Sequence, residues 1–373
     1  MNTSDARSLF ALDDHIYLLN HSIGKMPRSA LTYTQAHFFD HWQHQTPEAW
    51  PLWLSEISEF QNALASMFNS QASAFCPQTN VSSGLSKVLE ALPEKAGADV
   101  ILCTENDFPS AGFVLKMAER LGFQVRMLQK HLDAQDPNVW ADALGNDVHS
   151  VFITHVHYNT NKLVPVADIC KLARDRGITS MVDTAQSSGV VPIDLQAWDA
   201  DVVFGSCIKW LCGGPGAGFL WVNPDLLDQL QPRDVGWFSH RDPFEFDIHN
   251  FEYATNANRF WGGTPSVLPY VIATNSIRLM DNFGVANIRH HNQQLSQILL
   301  EAIEPRFFSS PTDLALKGGT TVIKFAEQER VESALTEAGV EFDAREHGIR
   351  LSPHIYNTEE ELRQVAECLA QSI

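Results

Sequence analysis

The sequence predicts an α/β protein with two units, a large one built on a mainly parallel sheet and a smaller α/β unit at the C-terminal end. The first observation is the length of 373 residues, because a single hydrophobic core stops growing at roughly 250 to 300 residues. The second is that, from about residue 99 onward, apolar runs of strand length alternate with segments of helical spacing. Such alternation is typical of a parallel sheet covered by helices on both faces.

The elements of the large unit follow in chain order. Apolar runs predict strands at 100–104, 124–128, 150–156, 178–183 and 202–205. Helical spacing predicts helices at 111–121 and 166–176. A further run at 219–222 follows a short glycine-rich turn, and so short a connection favours an antiparallel neighbour.

The remaining elements predict the small unit. Long helical patterns cover 265–305, strand-like runs follow at 320–325 and 348–352, and a closing helix begins at Thr358. We therefore divide the chain into an N-terminal segment, 1–45, that packs with the small domain, a large domain, 46–250, and a small C-terminal domain, 251–373, with its linking helices at 265–305.

Composition narrows the class of protein. Hydrophobic residues make up 44% and charged residues 19% of the chain, as in ordinary globular proteins. The formal charge of -19 repels nucleic acid and anionic lipid. There is no basic segment followed by an apolar run at the start, and no apolar stretch of membrane-spanning length. Six scattered cysteines without C-x-x-C spacing fit reduced thiols. We expect a cytoplasmic protein with neither nucleic acid nor membrane as a partner.

Polar residues follow two consecutive predicted strands. Asp183 ends the run 178–183, and the run 202–205 leads directly into Ser206 and then Lys209. Functional side chains gather at the C-terminal ends of strands in such sheets, so these residues face one crevice. A lysine there suits imine formation, and pyridoxal 5'-phosphate (PLP) needs both such a lysine and a carboxylate beside its pyridine nitrogen. Lys209 and Asp183 are the candidates, although a strand-end aspartate also commonly caps a helix.

The segment VDTAQSSGVVPIDLQAWDADVVFGSCIKWLCGGPGAGFLWV carries a family resemblance. Its D-x-A-Q, S-x-x-K and GGPG elements resemble the cofactor core of class V, fold type I PLP enzymes. Kynureninases are the most similar, with cysteine desulfurases and class V aminotransferases close behind. The resemblance implies a seven-stranded, mainly parallel sheet between helices, PLP held as an aldimine on Lys209, and a homodimer with active sites at its interface.

The resemblance also implies roles for residues in further matching motifs, over nearly the whole chain. In CPQTNVSSGLSKVLEAL it implies phosphate contacts at Thr79 and, beside it, Gln78. In ENDFPSAG it implies that the Phe108 ring stacks on the pyridine. The other implied cofactor contacts are Gln186 on the phenolic oxygen, Ser206 on the phosphate, Trp237 near the phosphate or substrate, and Thr264 reaching the neighbouring subunit's cofactor.

Substrate contacts are implied at both ends of the chain. Arg350, in the R-x-x-P segment, matches the arginine that grips the substrate carboxylate, for which a planar guanidinium is suited. A simple salt bridge is the alternative for this residue. Asn20 and Ser22 belong to YLLNHSIGKMP, which is similar to the entry motif of kynureninases.

Departures from the kynureninase pattern keep the reaction open. Ile208 stands where kynureninases have a tyrosine before the lysine, and Gln186 stands where they have a histidine. Desulfurases need a nucleophilic cysteine near the carboxylate arginine, and residues 218–367 contain none. We expect kynureninase-like hydrolase or lyase chemistry on a small L-amino acid, with class V transamination as the alternative. A desulfurase or an inactive scaffold is less favoured, and no G-x-G-x-x-G follows the first strand as a dehydrogenase requires.

Three histidines form a possible metal pattern. His37, His41 and His44 are spaced i, i+4, i+7 on a predicted helix, with aromatic residues between them. We interpret this set as a packed or interfacial helix face and predict no metal site. His155 and His157 are interpreted as ordinary buried histidines.

Overall fold

The computed structural model describes residues 3–44 and 48–371. Its strands share the short lengths typical of α/β proteins. They are β1 Ile16–Tyr17, β2 Phe75–Gln78, β3 Val100–Thr104, β4 Gln124–Leu128, β5 Val148–Thr154, β6 Thr179–Asp183, β7 Val202–Ser206, β8 Gly218–Val222, β9 Thr321–Ile323, β10 Val340–Glu341, β11 Asp343–Arg345 and β12 Gly348–Leu351.

Helices surround these strands. They are α1 Thr3–Ser8, α2 Ser29–Thr34, α3 Asp40–His44, α4 Trp50–Met67, α5 Val81–Ala91, α6 Pro109–Met117, α7 Pro137–Ala143, α8 Val166–Arg174, α9 Leu195–Trp198, α10 Pro224–Leu227, α11 Leu268–Phe283, α12 Val285–Ala302, α13 Gln328–Glu337 and α14 Glu359–Gln371. A π-helix, Gln35–Phe39, joins α2 to α3. Short 3-10 turns lie at Ala72–Ala74, Ala118–Leu121, Trp237–Ser239, Ala257–Phe260 and Pro305–Phe307.

The main sheet has the predicted architecture. Within the described residues it contains seven strands in the order β2-β8-β7-β6-β5-β3-β4. Only β8 runs against its neighbours, since it pairs antiparallel with both β2 and β7 while the other pairs are parallel. The α/β class, the mainly parallel seven-stranded sheet and the antiparallel neighbour after 202–205 are confirmed.

Alternating side chains of the central strands fill two cores, one on each face of the sheet. Val151 and Ile153 of β5 pack on one face, together with residues of α4, α8 and α11. Phe152, between them, packs on the other face with residues of α5 and α6. Successive side chains of a strand point to opposite faces, so a strand buried on both sides has to be apolar throughout.

The C-terminal part forms a separate core. Strands β11, β12 and β9 make a small antiparallel sheet, and α12, α13 and α14 pack their apolar residues on it. The N-terminal segment contributes to the same core, because β1 pairs in parallel with β10 and Ile16 and Leu18 are buried there. The domain boundaries at 45/46 and 250/251 stay a prediction.

The predicted elements match within a few residues, but several others, among them the 18-residue helix α4, were not predicted. The strand predicted over 150–156 is β5, which begins and ends two residues earlier, and β2 was not predicted. In the described part of the chain, every helix is too short or too polar to cross a membrane.

Candidate active site

The carboxyl ends of three parallel strands meet at one cavity of about 190 Å³. Thr154 ends β5, Asp183 ends β6 and Ser206 ends β7, and all three line this cavity. Lys209, three residues beyond β7, lines it as well. The structure therefore brings together the lysine and the carboxylate that the sequence singled out, at the edge of the sheet where turns open a crevice.

The environment of the Lys209 amine favours its neutral form. Burial lowers its pKa, and the positive charge of Arg350 lowers it further, against the opposing effect of Asp183. Its Nζ lies 5.6 Å from the centre of the Phe108 ring. A lowered pKa increases the fraction of neutral amine, which is the form that attacks a carbonyl carbon.

Asp183 is a buried carboxylate, with 6% of its surface exposed. Burial raises its pKa, while the hydrogen bond that the Ala185 N–H donates to Oδ1 (2.8 Å) and the charge of Lys209 lower it. A buried carboxylate of this kind is stabilised by a cationic partner. A protonated pyridine nitrogen is such a partner.

Phe108 supplies an exposed aromatic face at the cavity. It occupies the N-cap position of α6, directly before Pro109, and 43% of its surface is exposed. Tyr158 packs edge-on against it, with ring centres 5.2 Å apart and planes at 88°. This contact fixes the orientation of the Phe108 ring and leaves area for a second flat ring to stack.

The N-terminus of α5 lies at the cavity. Asn80 caps the helix, accepting the Ser83 N–H on its side-chain oxygen at 2.9 Å. Asn80, Val81 and Ser82 all line the cavity. The first N–H groups of a helix lack partners within the helix and sit at the positive end of its dipole, so this end suits a phosphate.

Two predicted phosphate contacts lie beside the cavity rather than in its wall. Thr79 is exposed, and its hydroxyl donates to the Ser83 hydroxyl at 3.3 Å. Gln78 is buried in β2, where its Nε2 donates to the Phe260 carbonyl at 3.2 Å. Their roles stay predictions, and Asn80 and Ser82 are the residues that the wall itself contains.

The Gln186 side chain lines the cavity in a fixed orientation. Its Nε2 donates to the His21 carbonyl at 3.0 Å, and its Oε1 accepts from the Trp210 Nε1 at 3.3 Å. Both ends of the amide are therefore used, and the amide plane is held against the cavity.

Arg350 does not line the cavity itself but contacts Tyr158, which does. Its Nη1 donates to the carbonyl of Tyr158 at 3.1 Å, and Tyr158 lines the cavity. Its Nε donates to Asp343 Oδ1 at 2.7 Å, and its Nη2 is also hydrogen-bonded to Asp343. The two residues are cross-strand partners in β11 and β12. The salt bridge considered as the alternative for Arg350 is present, and a substrate carboxylate would share this guanidinium with Asp343.

His21 completes the Arg350 network. Its Nε2 lies 2.9 Å from Asp343 Oδ1 and its Nδ1 lies 2.6 Å from Ser352 Oγ. Burial by itself raises the pKa of Asp343, but the hydrogen bonds from His21 and Arg350 hold that pKa below its usual range. Burial lowers the pKa of His21, so the ring tends to stay neutral.

Four other predicted residues lie outside this cavity wall. Asn20 is buried, donates to the Ser352 carbonyl at 2.7 Å and accepts from the Tyr356 hydroxyl. Ser22 and Thr264 are exposed. Trp237 packs among aromatic side chains, with its ring centre 4.4 Å from that of Phe238. The predicted roles of these four residues remain predictions.

Sequence reasoning missed several residues of the site. Asn80 carried a signal, because an asparagine directly before a helical pattern is a common N-cap. Ser110 belongs to the quoted F-P-S element and lines the cavity. Tyr158, His21 and Asp343 carried no local signal.

The residues present fit PLP. The helix end at Asn80 suits its phosphate, the Phe108 face suits its ring, the buried Asp183 suits its pyridine nitrogen, and Lys209 suits its aldehyde. Sheet order, strand-end carboxylate and lysine together define a fold type I PLP-dependent enzyme. The chain belongs to the aminotransferase class-V family, whose model matches residues 55–365, and its cofactor is pyridoxal 5'-phosphate.

Relatives within the family have different activities. The chain is 26% identical to the uncharacterized aminotransferase YcbU of Bacillus subtilis, over 84% of each chain. It is 27% identical to kynureninase of Pseudomonas fluorescens, over 91% of this chain and 84% of the relative. It is also 27% identical to isopenicillin N epimerase of Streptomyces clavuligerus, over 98% and 97%. Among solved structures, the apo cysteine desulfurase of Thermococcus onnurineus superposes with a TM-score of 0.87 at 18% identity, over 99% of this chain and 97% of that one.

Proposed function

We propose that this enzyme cleaves the side chain of a small L-amino acid, as a kynureninase-like hydrolase or lyase, with Lys209 as its acid–base residue. One observation carries the proposal: the Lys209 amine, its pKa lowered by burial, lines the same cavity as the Phe108 ring and the Asp183 carboxylate. When bound, PLP supplies an aldehyde that captures amines and a ring that withdraws electrons from the carbon next to the nitrogen.

The chain's own residues have distinct tasks in this proposal. Lys209 Nζ binds the cofactor at rest and moves the proton of the substrate's α-carbon during reaction. Asp183 holds the proton on the pyridine nitrogen, and Phe108 keeps the ring plane in place. Arg350 binds the substrate carboxylate, with Asp343 and His21 holding the guanidinium in position.

Transamination is the second candidate, and Ile208 is the observation that favours it. Kynureninases have a tyrosine directly before the lysine, and this chain has Ile208 at the matching position. The aliphatic side chain of Ile208 has no proton to transfer during side-chain cleavage. Desulfuration has less support, because Cys76, Cys103, Cys170, Cys207 and Cys212 are buried. Burial raises the pKa of each of these thiols.

The first experiment compares the wild type with Lys209→Ala and with the control Lys130→Ala. Lys130 is exposed and does not line the cavity. We expect visible absorbance of lysine-bound cofactor in the wild type and in Lys130→Ala, and its loss in Lys209→Ala together with all turnover. A wild-type protein that takes up no added PLP would contradict the proposal.

The second experiment distinguishes the two reactions. The protein is incubated with kynurenine, alanine and cysteine derivatives, and anthranilate, pyruvate and pyridoxamine phosphate are measured. We expect side-chain cleavage products without a keto acid acceptor. Accumulation of pyridoxamine phosphate, with transfer of the amino group to an added keto acid, would favour the aminotransferase.

A further inference from the structure

A cluster of two histidines and a glutamate lies outside the active site, where the π-helix meets α4. His37 is in the π-helix, His41 is in α3 and Glu56 is in α4. One ligand atom from each, a ring nitrogen or a carboxylate oxygen, lies within 4.8 Å of the other two. The sequence alone suggested a packed or interfacial face, because aromatic residues lie between the histidines. Glu56 lies in another helix, and its approach to the histidines depends on how α4 packs.

Two of the three ligand-to-ligand distances are close to those around a tetrahedral metal ion. His37 Nδ1 is 2.9 Å from Glu56 Oε1, and His41 Nε2 is 3.5 Å from the same oxygen. Zinc bonds to histidine nitrogen and carboxylate oxygen are about 2.0 to 2.2 Å long, so neighbouring ligand atoms in a tetrahedron are about 3.3 Å apart. The third distance, between the ring nitrogens of His37 and His41, lies within 4.8 Å.

Glu56 supplies an independent observation. The residue is 7% exposed, yet its Oε2 has no hydrogen-bond partner among residues 3–44 and 48–371. Burying a carboxylate oxygen without a partner is costly, and such atoms are rare in native structures. A histidine–glutamate ion pair uses Oε1 and leaves this oxygen unsatisfied, whereas a divalent cation beside the carboxylate satisfies it directly or through a bound water.

The backbone around His37 is also unusual. The segment Gln35–Phe39 is a π-helix, a form that is rare and often found at functional sites. Within this segment the His37 ring stacks on Tyr33, with ring centres 3.9 Å apart, and its Nδ1 lies 2.9 Å from Glu56 Oε1 of α4. The side chains of His37 and His41 are 38% and 20% exposed, so an ion can enter from solvent and keep one open position.

We propose that His37, His41 and Glu56 bind one divalent transition-metal ion, with zinc as the favoured ion, linking the π-helix to α4. Two imidazoles and a carboxylate are ligands that Zn²⁺ binds well, and three protein ligands leave a fourth position for water.

A second trio of possible ligands provides a control within the molecule. Asp13, His15 and Glu341 also approach one another, but Asp13 and His15 are exposed. Both oxygens of Asp13 already have partners, the His15 N–H at 3.0 Å and Lys25 Nζ at 3.2 Å. We therefore expect no tight metal binding at this trio.

The test is a zinc titration of the PLP-loaded protein against a coloured competing chelator, after removal of metal by dialysis. Wild type, His15→Asn and His44→Asn are expected to bind one equivalent of zinc with the same affinity. His15 belongs to the control trio, and His44 is an exposed residue of α3, the helix that contains His41. His37→Asn and His41→Asn are expected to bind at least tenfold more weakly. The cofactor's visible absorbance, measured on each variant, shows that it has folded.

Thermal unfolding gives a second readout. Zinc is expected to raise the unfolding midpoint of the wild type and not that of His37→Asn, because an ion that binds only the folded state stabilises it. The proposal is overturned if the wild type binds no zinc, if His37→Asn and His41→Asn keep wild-type affinity, or if His15→Asn or His44→Asn loses binding instead. Glu56→Gln is informative only as a supplement, because Glu56 is buried.

Discussion

Asp107 is a buried carboxyl group next to the aromatic platform of the active site. It directly precedes Phe108, is 8% exposed, and accepts the Thr104 N–H on Oδ2 at 2.8 Å. Burial raises its pKa to about 6, and the negative charge of Asp183 adds to this effect. The folded protein therefore holds a proton on Asp107 at pH values where the unfolded chain, with a pKa of 3.8, has lost it.

The raised pKa of Asp107 makes the stability of the folded protein depend on pH. Between about pH 4 and pH 6 the folded state binds more protons than the unfolded state, so stability due to this group falls as the pH rises. A shift of about two units corresponds to about 3 kcal/mol. Asp107→Asn keeps a carbonyl oxygen for Thr104 and does not titrate. We expect the free energy of unfolding of the wild type, relative to this variant, to fall by about 3 kcal/mol from pH 4 to pH 7.

Urea unfolding of cofactor-free wild type and Asp107→Asn over this pH range measures the difference. Other titrating groups are common to both proteins and largely cancel. Parallel stability curves would show that Asp107 titrates near its ordinary pKa in the folded protein.

At the scale of residues, the sequence predicted the site residues that belong to sequence motifs. It missed the residues that reach the site only through tertiary contacts. Asp183 ends a strand, and Lys209 and Phe108 follow strands, so strand ends place all three at one cavity. Asp343 reaches Arg350 only through the register of β11 and β12. That register depends on packing of the small sheet, which a local pattern does not encode.

The start of α5 is the element on which phosphate binding depends. The cap at Asn80 holds the first turn in place, and Val81 and Ser82 of that turn line the cavity. Capping and anion binding use the same end of the helix but have different electrostatic requirements. A neutral or an acidic side chain can cap, whereas an acidic one places a negative charge beside the phosphate.

Two substitutions at Asn80 separate these roles. Asn80→Ala removes the cap and is expected to cost about 1 kcal/mol of stability. Asn80→Asp keeps the cap and is expected to retain wild-type stability without cofactor, while weakening PLP binding at least tenfold by repulsion. Urea unfolding and PLP titration by absorbance measure the two quantities. Equal PLP affinity in Asn80→Asp and wild type would place the phosphate away from α5.

At the scale of elements, most of the strands and helices that alternate from residue 99 onward were predicted, whereas the 18-residue helix α4 and the edge strand β2 were not. The strand β2 has four residues and contains Pro77. Proline lacks an N–H and is found in sheets mainly at edges, so it argues against a strand in a sequence pattern. The structure accommodates it because β2 lies at the edge of the sheet, where it pairs only with β8.

At the scale of the whole molecule, the N-terminal segment connects the small C-terminal core to the loop after β7 that carries Lys209. Leu18 donates its N–H to the Glu341 carbonyl at 2.9 Å, and the Leu18 carbonyl accepts the Ser352 N–H at 2.9 Å. Six residues later, the Gly24 N–H donates to the Ile208 carbonyl at 2.8 Å. These contacts join positions more than 180 residues apart, so no periodic pattern in the sequence predicts them.

Gly24 packs closely against the segment 207–212, which carries Lys209. A Cβ at this position would lie 2.2 Å from the Lys209 carbonyl oxygen and 2.6 Å from Cys212 Sγ. The oxygen belongs to the backbone and cannot rotate away, so Gly24→Ala has to displace the loop that carries Lys209. We expect a loss of about 1 to 3 kcal/mol in stability, the usual cost of overpacking, and at least a tenfold loss of PLP affinity.

Gly112→Ala is the matched control, since a Cβ there meets nothing within 4 Å and the residue lies inside α6. Alanine in a helix interior is better than glycine by roughly 0.5 to 1 kcal/mol, so this variant is expected to be slightly more stable. Unfolding and PLP titration of both variants decide the matter. If Gly24→Ala loses stability but binds PLP as the wild type does, the N-terminal segment supports the fold without positioning Lys209, because a displaced loop would move the amine as well.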